Sequence, residues 1–123
     1  GLDGLEQLTT IGGELQISVN VALASISALS GLTSIGGTLK VFGMFALTNL
    51  EGLGGLVTIP GDLLLLSNHG LASVTGLSSL ATVDGDAQIT GNDELSCSDA
   101  TAFLDDVTVG GDVTVENNKD GCE

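Results

Sequence analysis

The stretch Ile11-Gly12-Gly13-Glu14-Leu15-Gln16-Ile17 returns as Ile35-Gly36-Gly37-Thr38-Leu39-Lys40-Val41, then as Ile59-Pro60-Gly61-Asp62-Leu63-Leu64-Leu65, then as Val83-Asp84-Gly85-Asp86-Ala87-Gln88-Ile89, each 24 residues after the last. A fifth copy, Val109-Gly110-Gly111-Asp112-Val113-Thr114-Val115, follows after 26. Other apolar columns keep the same step: Leu23, Leu47, Leu71 and Leu95; Leu5, Leu29, Leu53 and Leu77; Leu8, Leu32, Leu56 and Leu80; Leu2, Ile26, Leu50 and Val74. A period of this length has one economical physical reading. A single copy cannot bury its own apolar face, so neighbouring copies must stack and share a continuous core.

The alternation Glu14-Leu15-Gln16-Ile17-Ser18 marks a strand with Leu15 and Ile17 facing inward. Its copies are expected to pair in parallel and in register along a β-solenoid. The glycine pairs Gly12-Gly13, Gly36-Gly37 and Gly110-Gly111 are read as corners with positive φ. A helical reading fails, because 19 glycines cut the chain into short segments. After each strand comes the column Asn20, Met44, Asn68, Asn92, Asn118. Asparagine there is expected to turn inward, satisfy corner backbone groups and stack as a ladder.

The pattern Leu15-x-Ile17-x-x-Asn20-x-x-Leu23 resembles the core of leucine-rich repeats. With the flanking Gly-Leu and Gly-Gly positions, the longer pattern is similar to the bacterial relatives of receptor L domains. The resemblance covers nearly the whole chain. It implies a mainly β, right-handed parallel β-solenoid of about five coils, in a secreted or cell-surface protein whose activity resides on outer faces. The chain is read as one domain, 1–123, with repeats 1–27, 28–51, 52–75 and 76–97 and a C-terminal capping coil 98–123.

Composition narrows the function. Sixteen acidic residues face two basic ones, for a net charge of −14 and a pI near 4.1. Nucleic acid and anionic lipid are therefore excluded as partners through a basic patch. The Leu, Ile and Val content excludes a disordered acidic chain. The longest aliphatic run, Leu63 to Leu66, is far short of the ~20 residues that a membrane span needs. With no initiator Met and no secretory signal, the chain reads as a processed product.

The two ends differ. Ser98-Asp99-Ala100-Thr101-Ala102-Phe103-Leu104 predicts a short capping helix, with Ser98 as N-cap. Cys97 and Cys122 bracket the last coil and are read as a disulfide; closing such a loop adds roughly 3 kcal/mol. A bridge implies an oxidising, extracellular compartment. The chain starts mid-repeat, which leaves two readings: a piece of a longer array, or an open apolar end covered in an assembly.

Outward strand positions should be polar, as at Gln16, Ser18, Gln88, Thr90, Thr114 and Glu116. Lys40, Phe42, Leu64 and Leu66 break the rule. Phe42, Met44, Phe45, Leu64 and Leu66, extended by Val19 and Val21, are read as an exposed apolar patch and an interface. Acids are lopsided: four against Lys40 in residues 1–61, and twelve against Lys119 in residues 62–123. Asp84, Asp86, Asp93 and Glu94 are candidate Ca²⁺ ligands, set against plain solvation. Thr10, Ser34, Thr58, Thr82 and Thr108 form a hydroxyl column of the kind that ice-binding faces use. His69, the single histidine, is read as a surface residue, and no catalytic constellation accompanies it. The expected function is non-enzymatic and extracellular: a structural or adhesive protein that assembles with itself. The alternatives are a receptor-like module for another surface protein or a glycan, and an ice-binding protein.

Overall fold

The computed structural model describes residues 5, 7–19 and 22–119. These residues are mainly β, with parallel strands in sheets and one short α-helix. Ten strands run in chain order: β1 (Thr10–Ile11), β2 (Leu15–Ser18), β3 (Ser34–Ile35), β4 (Leu39–Phe42), β5 (Thr58–Ile59), β6 (Leu63–Leu66), β7 (Thr82–Val83), β8 (Ala87–Thr90), β9 (Thr108–Val109) and β10 (Val113–Glu116). The helix α1 (Cys97–Asp105) lies between β8 and β9. The even-numbered strands form one five-stranded parallel sheet in strict chain order. Each residue pairs with its equivalent 24 positions on, as in Leu39 with Leu63, and 26 positions on at the last step, as in Ala87 with Val113.

Alternation decides which way each strand faces. Leu39, Val41, Leu63, Leu65, Ala87 and Ile89 are fully buried, and the residues between them face outward. Leu47, Leu50, Leu53 and Leu56 belong to the same core, with their equivalents in the next copies. Each fully buried leucine contributes roughly 1.5–3 kcal/mol of transfer free energy. The outer strands bury less. Leu15 and Ile17 of β2 are half-buried and Val113 of β10 is 53% exposed, because each of these strands has one neighbour among the described residues.

The short odd-numbered strands split into β1-β3 and β5-β7-β9. In the second group Asp84 N donates to Ile59 O and Gly110 N donates to Val83 O. The equivalent of Asp84 in β5's copy is Pro60, which has no N–H to offer Ile35 O. The single proline is thus where the short ladder breaks.

The glycine pairs are not the positive-φ corners that the sequence reading expects. Left-handed backbone falls one position after each long strand instead, at Val19 (φ 47°), Gly43 (70°), Ser67 (55°), Gly91 (71°) and Asn117 (56°). The glycine pairs serve close approach. A Cβ on Gly36 would overlap Gly12 O, and Cβ atoms on Gly85 and Gly111 would overlap the Asp62 and Asp86 carboxylates. Val19 is β-branched and pays a left-handed penalty of about 1–2 kcal/mol, while stacking keeps it there through Val19 N donating to Phe42 O. Val19→Asn, which copies Asn117, should raise stability by about 1 kcal/mol in a urea titration. No gain would mean that the backbone at residue 19 relaxes freely.

The asparagine column forms the expected ladder where it is described. Asn68 Oδ1 accepts from Met44 N (3.2 Å), Asn92 Oδ1 from Asn68 N (3.1 Å), and Asn118 Oδ1 from Asn92 N (3.1 Å). The amide groups donate backwards, Asn68 Nδ2 to Val41 O and Asn118 Nδ2 to Ile89 O. Asn68 and Asn92 are fully buried, yet no buried side-chain N or O among the described residues lacks a partner.

The C-terminal helix is present, one residue longer at each end than the stretch quoted from the sequence. Its N-cap is Ser96, not Ser98: Ser96 Oγ accepts from Asp99 N, while Ser98 lies inside the first turn. Cys97 is disulfide-bonded. The only other cysteine, Cys122, lies outside the described residues.

Candidate interaction face and cleft

The outward face of the five-stranded sheet carries two columns. One runs Gln16, Lys40, Leu64, Gln88, Thr114, and the other Ser18, Phe42, Leu66, Thr90, Glu116. Register places Phe42 directly beside Leu66, and Lys40 directly beside Leu64. Leu64 and Leu66 are half-buried by their flanking strands, while Phe42 is 37% exposed. Lys40 Nζ lies 5.5 Å from the Phe42 ring centroid, a cation–π contact between two outward residues of β4. The middle of the face is therefore apolar and its two margins are polar.

Two further residues extend the patch at the ends of the strands. Phe45 is 52% exposed and Val19 69% exposed. Val19 sits beside Gly43, one residue past Phe42. Met44 does not belong to the patch. It is fully buried, because it occupies the inward ladder position that asparagine takes in the other copies. Val21 lies outside the described residues.

The corner after the strands holds a grouping that column-by-column reading missed. Phe45, His69 and Asp93 are 24 residues apart and stack. The Phe45 and His69 rings lie 4.9 Å apart and nearly parallel, at 19°. The Asp93 carboxylate accepts from His69 Nδ1 at 2.6 Å. Three unlike residues share one column, so a search for like residues passes over them. The spacing alone was the available signal.

The other acids divide by role. Asp86 N donates to Asp62 Oδ1, and Asp112 N donates to Asp86 Oδ1, both at 2.8 Å. Thr38 Oγ1 serves Asp62 N in the same way. The side chain of each copy thus accepts from the backbone of the next. Asp84 and Glu94 are exposed, and Asp93 is engaged with His69. Among the described residues, no three His, Cys, Asp or Glu side chains converge so as to hold a metal ion.

A cleft of about 360 Å³ separates α1 from residues 73–80. Its apolar lining comes from Val74, Leu80 and Phe103. Thr75, Ser78, Asp99 and Asp106 supply hydroxyls and carboxylates at the exposed edge. The hydroxyl column is regular in the described strands: Thr10 pairs with Ser34, and Thr58 with Thr82 and then Thr108. Its neighbours at Val57 and Ala81 break the hydroxyl pattern on the adjacent positions.

No family model matches the chain, and no curated protein or solved structure matches it significantly. Among the described residues, no helix is long and apolar enough to cross a membrane.

Proposed function

We propose that the chain is a right-handed parallel β-solenoid of the leucine-rich-repeat and L-domain-like kind. In this reading it works outside the cell as a non-enzymatic structural or adhesive protein that associates with copies of itself. The observation that carries the reading is the apolar centre of an otherwise polar sheet face, where Phe42, Leu64 and Leu66 stand in adjacent in-register strands. A regular parallel sheet offers a flat, repeating surface, and a second copy presents the same surface to it. Burying these side chains against one another removes apolar area from water. The in-register pairing of copies supports the solenoid reading, and the bonded state of Cys97 supports an oxidising compartment.

Charge opposes association, since each copy carries −14. Salt screens that repulsion and leaves the apolar contribution in place. Self-association should therefore strengthen between low salt and about 0.5 M salt, where the Debye length falls to a few ångströms. Light scattering with negative-stain imaging checks this. Wild type should form oligomers or filaments, and the double variant Phe42→Asp with Leu66→Asp should be monomeric with an unchanged circular dichroism spectrum. A wild type that stays monomeric at every salt concentration would overturn self-assembly and direct attention to a foreign protein ligand for the same face.

A further inference from the structure

We propose that the cleft between α1 and residues 73–80 is a binding site for an organic cation, meaning a ligand with an apolar body and an ammonium or guanidinium group. The cleft has a structural origin. In the copy before it, the chain turns through a single 3₁₀ turn, Thr75–Leu77, with Thr75 N bonded to Ser73 Oγ. In the last copy the nine-residue α1 replaces that turn, inside a spacing lengthened from 24 to 26 residues. Paired strands sit about 4.8 Å apart, whereas an α-helix with side chains is about 10 Å across. The helix cannot follow the strand spacing, and the mismatch opens the gap.

The gap suits a small molecule in size and in chemistry. Its volume, about 360 Å³, lies within the range of small-molecule sites, roughly 300–1,000 Å³. Val74 and Leu80 are buried and Phe103 half-buried, which gives an apolar wall. Asp99 and Asp106 are both exposed at its edge, and no basic residue lines it. Among the described residues the one ion pair is His69 with Asp93, in a different part of the molecule. A ligand that carries its own positive charge supplies the counter-ion that the cleft lacks and can donate a charge-assisted hydrogen bond to a carboxylate at its edge. The Phe103 ring adds a face for the cation or for an aromatic body. An inorganic cation fits less well, because the wall is apolar and no third carboxylate, His or Cys joins Asp99 and Asp106. The inference is independent of self-association through the sheet face.

The test is an NMR titration of backbone amides with phenethylamine, alongside its uncharged isostere phenethyl alcohol and glucose as a neutral polyol. Phenethylamine should shift the amides of residues 73–80 and 99–106 saturably, and the two neutral probes should not. Asp99→Asn with Asp106→Asn should weaken the amine about tenfold or more. Asp84→Asn, an acid outside the cleft lining, should leave the affinity unchanged. These are surface substitutions of near-equal shape, and matching melting curves confirm that the fold is kept. Equal binding of amine and alcohol, binding of glucose instead, shifts spread over the whole acidic surface, or loss of affinity in Asp84→Asn would each overturn the proposal.

Discussion

Replacing Asn92 with alanine is expected to lower the unfolding free energy by about 3–5 kcal/mol. Asn92 is fully buried and makes hydrogen bonds in both directions along the stack. Its Oδ1 accepts from Asn68 N and Asn68 Nδ2, both at 3.1 Å. Its Nδ2 donates to Leu65 O (2.9 Å), Asn118 Oδ1 (3.0 Å) and Thr90 O (3.2 Å). Alanine removes all five and leaves the Asn68 N–H and the Leu65 carbonyl in the core without the partner they have here. Each buried group left unsatisfied costs about 1–3 kcal/mol, and loss of the shared network removes mutual polarisation besides. Urea unfolding at constant slope reads the change directly. Glu94→Ala, two residues away and exposed, is the control and should stay within about 0.5 kcal/mol. Asn92→Asp should be nearly as damaging as alanine, since a carboxylate cannot donate to Leu65 O and would place a charge in the core. A loss below about 1 kcal/mol for Asn92→Ala would mean that water enters and replaces the ladder.

Much of the architecture is legible in the sequence because stacking couples each residue to its equivalent. The 24-residue step names the strand partners, so Leu39 beside Leu63 and Val41 beside Leu65 follow from the spacing alone. The ladder at Asn68, Asn92 and Asn118 follows from a single polar column inside apolar ones. Periodicity fails where a residue departs from its column or where two kinds of structure meet. Met44 replaces an asparagine and its polarity suggests an exposed patch, but its position in the stack, not its polarity, sets its direction. The corner glycines are small because the preceding copy already fills the space of a Cβ, with backbone at Gly36 and Gly110 and with a carboxylate at Gly85 and Gly111, a contact between copies that one copy's pattern does not display. His69 meets Asp93 because both occupy the corner column that Phe45 begins, although the three differ chemically. The cleft arises from the mismatch between α1 and the 3₁₀ turn before it, and mismatch is what a repeat pattern does not encode.

Gly85→Ala is expected to cost about 2–3 kcal/mol, and Asp62→Ala should recover part of that loss. The new methyl group would overlap Asp62 Oδ1 and would stand 2.8 Å from Gly61 O. The first obstacle is a side chain held in place by the hydrogen bond that it accepts from Asp86 N at 2.8 Å. To make room, the carboxylate must swing away and give up that bond. The second obstacle is backbone within the stack, which cannot swing. Asp62→Ala alone should cost about 1–2 kcal/mol, because it removes a charge-assisted bond at a half-buried site. In the double variant that bond is lost once instead of twice, so the combined cost should fall short of the sum by about 1 kcal/mol. The Gly61 O contact sets the residue that is not recovered. Strict additivity would show that the carboxylate and the glycine do not share space in solution, and the pairing of Asp62 and Asp86 with Gly85 and Gly111 would need another cause. A coupling of the expected size makes the acid column part of the stacking machinery: each carboxylate accepts from the next copy's backbone, and glycine is kept at the following corner because the carboxylate occupies the space a methyl group would need.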